Sequence, residues 1–126
     1  MNDMKPMPRL DRPCWLDMPR GVRLRIMPPD GCAMREVLAV AGRGLAAARD
    51  ADPDMDTDTL EATRFVLLVK ALAHMIVVAW EGVGDATGKP LRLSPQALER
   101  LMDIDDIAVA FWKKATAPTM EEIRNG

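Results

Sequence analysis

Six carboxylates crowd the segment 49–61, RDADPDMDTDTLE. Counted from Asp50, the residues Asp50, Asp52, Asp54, Asp56, Asp58 and Glu61 fall at positions 1, 3, 5, 7, 9 and 12 of a twelve-residue loop. Hard oxygen ligands at that spacing are what Ca²⁺ takes. Position 6, however, is Met55, where the sharp turn needs Gly, and position 4 is Pro53. The pattern fails at its most constrained point. The segment reads instead as an acidic linker feeding a helix N-terminus, where the helix dipole favours carboxylates without any metal. No metal site is expected.

The other chemistry-bearing residues are sparse. GVGDATG, residues 82–88, has three glycines but not the G-x-G-x-x-G spacing, and it is read as following a helix rather than a strand, so a phosphate cradle lacks its context. His74 is the only histidine, one turn from Lys70 on an apolar segment. No Ser or Cys motif accompanies it, so it reads as a hydrogen-bonded core residue. Two cysteines, Cys14 and Cys32, and one histidine make no zinc pattern, and two cysteines are too few for a secreted disulfide scaffold. They read as reduced thiols of a cytoplasmic protein. No catalytic constellation emerges, and the expectation is a non-enzymatic protein without a cofactor.

Arg9, Arg12, Arg20, Arg23 and Arg25 give the N-terminal region a basic face, but Trp15 is the only aromatic near them. A single-strand nucleic-acid surface interleaves stacking rings with its cations, so a solvated face is the preferred reading. The net charge of −2 agrees. That charge is unevenly spread: residues 1–49 balance to +4 and residues 50–126 to −6. One basic and one acidic end can favour head-to-tail self-association, and an ordinary fluctuation explains the split equally well. Ten methionines hint at an adaptable binding surface.

The elements that must carry these residues are mostly helical. Residues 1–12 read as a mobile tail, 13–116 as a single domain and 117–126 as a frayed end. Cys14, Leu16 and Met18 alternate with Trp15 and Asp17, and Val22, Leu24 and Ile26 alternate with Arg23 and Arg25, around Pro19-Arg20-Gly21. This is the pattern of a β-hairpin, with Pro19 at the first turn position. Asp30 caps a helix to about residue 49, whose stripe is Met34, Val37, Leu38, Ala41, Leu45 and Ala48. Gly42 and Gly44 within it imply a close helix crossing or a kink. Asp58 and Glu61 resemble a capping box for a long central helix over 58–81, closed by Gly82 as the left-handed residue after its last turn. Its apolar stretch, Phe65–Trp80, is interrupted by Lys70 and His74 and is shorter than the ~20 residues of a membrane span. Ser94-Pro95 starts a short helix to about 102, and a last helix covers 104–115. The predicted fold is mainly α, about four helices with an N-terminal hairpin.

Trp80-Glu81-Gly82-Val83, then Asp85, Gly88, Pro90, Ser94 and Leu98, resembles a W-x-G-V-x-D-x-x-G-x-P pattern followed by a Ser/Thr-capped helix. The pattern is similar to that of the small tail assembly chaperones of long-tailed bacteriophages and prophages. The resemblance implies a protein that binds the long, apolar, helical tape-measure protein, keeps it soluble, and helps tail-tube subunits polymerise around it. It implies no catalysis and no cofactor. Trp80 and the turn residues are then expected to hold the scaffold. Phe111 and Trp112, adjacent on the last helix, cannot both face the core, and one of them is the expected partner contact. A small structural component of the virion tail or neck is the alternative reading, and a DNA-binding regulator using the basic hairpin is the second.

Overall fold

The computed structural model describes the backbone of residues 13–125 and the side chains of 13–117. The tail expected over 1–12 lies outside the described residues. Two strands, β1 (Cys14–Asp17) and β2 (Arg23–Ile26), pair antiparallel with Leu16 opposite Leu24, as the alternation predicts. The turn departs from expectation in one respect. Pro19 stands first in it, but Arg20 as well as Gly21 takes positive φ, +66° and +76°, as the central pair. The amide of Val22 donates to the carbonyl of Pro19. Two central residues at positive φ are the type I′ pattern, whose twist matches that of the flanking strands.

Helix α1 (Gly31–Ala51) begins where expected, with the Asp30 carboxylate accepting from the amide of Ala33 at 2.8 Å. It is unbroken across both glycines. A Cβ on Gly44 would lie 3.1 Å from Leu67 of the next helix, so a close crossing accounts for that residue. Nothing lies within 4 Å of a Cβ on Gly42, and nothing in the structure explains that glycine by contact.

Helix α2 (Thr57–Ile76) starts one residue earlier than predicted and is capped by Asp56, not Asp58. The Asp56 carboxylate accepts from the amide of Thr59 at 2.7 Å. Asp50 therefore lies in α1, and Asp58 and Glu61 lie in α2. Half of the calcium-like positions are helical, and the connection between the helices is too short to be a twelve-residue loop.

The largest departure comes next. The helix expected to reach residue 81 ends at Ile76, and Val77–Glu81 forms a third strand, β3. It pairs antiparallel with β2, giving sheet order β1-β2-β3, with Trp80 opposite Leu24. A continuous apolar run does not distinguish helix from strand by its period. Here the β-branched Val77 and Val78 and the aromatic Trp80 suit a strand, and β2 offers them an edge to pair with. The turn 82–88 thus follows a strand after all, but an extended segment rather than a helix comes directly after it.

Helix α3 (Pro95–Met102) has the predicted start, with the Ser94 hydroxyl accepting from the amide of Ala97 at 3.1 Å. Helix α4 (Asp105–Asn125) runs beyond the expected end at 115. The inner face of the sheet meets α2, α3 and α4 in one core. Leu24, Ile26, Val69, Leu72, Ile107 and Phe111 are all essentially inaccessible there. Helix α1 packs chiefly against α2. Among the described residues no helix is long and apolar enough to cross a membrane.

Candidate partner-binding surface

The segment between β3 and α3 explains the motif residue by residue. The Trp80 indole N–H donates to the carbonyl of Leu91 at 2.8 Å and pins the returning chain beneath the strand. The carbonyl of Val83 accepts from the amide of Leu91 at 2.8 Å, and Gly84 bridges Pro90 antiparallel. Asp85 organises the tip: its Oδ1 accepts from the amide and the hydroxyl of Thr87, at 2.8 and 2.6 Å, and from the amide of Lys89 at 3.1 Å. Gly88 sits at φ +84° and its amide donates to the carbonyl of Asp85. Ser94 then caps α3. Gly82 closes a strand rather than a helix, at φ +80° against the backbone of Gly21. The motif therefore builds a folded connection.

The Thr87 hydroxyl, then the amides of Thr87 and Lys89, hold the Asp85 carboxyl below the usual carboxylate range. A carboxyl whose pKa is lower folded than unfolded stabilises the fold above its unfolded pKa. That contribution is lost as pH falls through the folded value. The Tm gap between wild type and Asp85→Ala should therefore be widest near neutral pH and shrink on acidification below about pH 4. A gap that stays constant down to acid would show that the carboxylate's charge does not hold this turn.

A polar ridge joins α2 to α3. Lys70 Nζ lies 2.8 Å from Asp103 and 3.8 Å from Glu99, and His74 Nε2 lies 2.8 Å from Glu99. His74 is thus a surface residue held by a carboxylate, not the core histidine expected from its apolar neighbours. Two arginines of the hairpin's basic face are similarly engaged, and Arg25 is exposed. Arg23 bridges Asp17 at 2.9 Å and Glu81 at 3.4 Å across the three strands and lies over the Trp15 ring, while Arg20 pairs with Asp106 at 3.2 Å. Arg9 and Arg12 lie outside the described residues.

Several large apolar side chains are exposed among the described residues, and in two places that sequence reasoning did not assign they line a groove. Between α1 and α2 runs a groove lined by Leu38, Ala41, Leu45 and Leu68, with Arg64 at its side. Leu38 is 57% exposed there. Phe65, three residues before Leu68 and so its neighbour on the helix surface, carries Trp112 edge-on with ring centroids 6.3 Å apart. Of the two adjacent aromatics, Phe111 is the buried one, at 0% exposure, and Trp112 is partly exposed. Phe111 cannot be a partner contact, because α4 turns it into the core. The second open place is the outer side of α4 around Val109. The groove was illegible because Leu38 and Leu45 sit on the predicted apolar stripe, and only the packing decides which stripe residues α2 covers. Cys14 and Cys32 are both free and exposed.

A family model described as YdaY prophage protein matches residues 30–125, from the cap of α1 to the end of α4. No curated protein and no solved structure matches the chain.

Proposed function

The chain belongs to the YdaY prophage protein family, and on that premise we propose that it is a tail assembly chaperone, acting in the host cytoplasm to bind the tape-measure protein and keep it soluble while tail-tube subunits assemble. The observation that carries this reading is the open apolar groove of Leu38, Leu45 and Leu68 between two helices. An amphipathic helix from a partner lays its apolar face into such a groove. The tape-measure protein, long and helical, supplies such faces in quantity. Trp112, partly exposed on its Phe65 platform, adds an aromatic anchor of the kind that dominates binding energy. The W-x-G-V turn supports the reading through its resemblance to the chaperone pattern, with a scaffold role for Trp80, Gly82, Val83, Asp85, Gly88, Pro90 and Ser94.

The test is co-expression with a tape-measure fragment that is insoluble alone. Wild type should hold the fragment in the soluble fraction. Leu38→Asp and Trp112→Ala should lose most of that effect while keeping the wild-type circular dichroism spectrum. If wild type leaves the fragment insoluble, the chaperone reading fails; if both variants act like wild type, the surface is misassigned. Retention of the chain in purified particles would favour a structural tail or neck component instead.

A further inference from the structure

The exposed side of α4 carries a charge pattern that reverses along the helix. Asp105, Val109 and Lys113 stand four residues apart and form one ridge, about 12 Å from end to end. Asp105 and Lys113 are exposed, and among the described residues neither makes an ion pair within the chain. Val109 between them is 42% exposed and lies in a shallow apolar groove with Ala110. The neighbouring Asp106 and Lys114 are already engaged by the hairpin, through Arg20 and through the carbonyl of Asp17. The dipole of α4 accounts for acids in its first turn. It does not account for the lysine two turns later or for the apolar residue exposed midway.

We infer that this ridge is a homodimer surface, on which a second copy of the chain packs its own α4 antiparallel across a two-fold axis through Val109. The charge order dictates the occupant. Turning the ridge end for end places Asp105 of one protomer on Lys113 of its partner, and Lys113 on the partner's Asp105, with the two Val109 side chains meeting at the axis. A two-fold interface is self-complementary by construction, and a ridge with opposite charges at equal distances from an apolar centre has that property. A parallel pairing in register would instead set like charge against like. One helix ridge on each side is small beside a standard interface, so the dimer is weak, and salt screens its exposed pairs. The inference is independent of the chaperone reading, because it uses neither the α1–α2 groove nor Trp112.

Sedimentation equilibrium of the full chain, from micromolar to millimolar concentration at low ionic strength, tests it. Wild type should shift from monomer to dimer, and added salt should reverse the shift. Asp105→Lys alone and Lys113→Glu alone should each remain monomeric, because each sets like charges together twice. Mixed in equal amounts, those two single variants should form a heterodimer. The lysine introduced in one then meets the glutamate introduced in the other, and the unaltered Asp105 meets the unaltered Lys113. The double variant Asp105→Lys/Lys113→Glu should dimerise by itself. A monomeric wild type at every concentration would overturn the inference. So would single variants that dimerise like wild type, or single variants that stay apart when mixed. Should Asp105→Lys fail to fold, Lys113→Glu and the double variant still decide the matter.

Discussion

Replacement of Phe111 by Ala should destabilise the fold by about 3–5 kcal/mol, the range for an aromatic ring removed from a close-packed core. Phe111 is at 0% exposure in the cluster that joins the sheet to α2, α3 and α4. Ile107, one turn earlier, and Ala115, one turn later, are buried beside it, so the ring stands midway along the buried stripe of α4. The cavity left behind would be walled by side chains from several elements, which limits how far it can collapse. Urea unfolding followed by circular dichroism measures the loss directly, through a lower midpoint at unchanged slope. Trp112→Ala is the internal comparison. Trp112 is partly exposed, so its removal costs less transfer free energy and should leave the midpoint much nearer to wild type. Equal losses for the two would mean that α4 does not present Phe111 inward as described.

That pair also marks what the sequence could and could not reveal. Two adjacent aromatics are about 100° apart on a helix, so one of them must leave the core, and this much was legible. Which one leaves depends on how α4 is rotated against the sheet, a tertiary fact. Local signals with their own chemistry were read correctly: Asp30 and Ser94 cap helices, and the alternation through Leu24 and Ile26 makes a hairpin. The run Val77–Trp80 was misread because a fully apolar segment has no period to read. Its strand state depends on β2, about fifty residues away in the chain, offering an edge. Asp56 displaced Asp58 as the cap for a similar reason, since in DPDMDTDT every second residue can cap and only the helix phase selects one.

The misread strand changes what the motif is for. As the end of a helix, Gly82 would only have stopped one element before the next. Directly after β3, it lets the strand lie against the hairpin turn, and Trp80 then reaches Leu91 from the sheet. The connection to α3 is thereby anchored on the same sheet whose inner face builds the core. Helix α3 is in turn tied to α2 by Lys70 and His74, so the central helix beside the apolar groove is held from its other side. The motif thus acts on any partner surface indirectly, by fixing the helix that forms one wall of it.

Gly82→Ala should therefore be among the most damaging single-methyl additions in the chain. Two penalties combine. Gly82 has φ +80°, where an Ala costs roughly 1–2 kcal/mol. Its added Cβ would stand 2.2 Å from the carbonyl oxygen of Gly21 and 3.3 Å from the Cα of Val22. Both neighbours are backbone and cannot swing aside, so β3 must move away from the hairpin turn, and overpacking of this kind costs roughly 1–3 kcal/mol more. The sum is about 2–5 kcal/mol. Gly88→Ala separates the two penalties, because Gly88 has nearly the same φ, +84°, with nothing within 4 Å of an added Cβ. It should lose only the conformational part. Urea midpoints for the two variants measure the difference, which is the energy of the contact with Gly21. If Gly82→Ala proves no worse than Gly88→Ala, β3 does not lie against the hairpin turn, and the third strand would have to be placed elsewhere.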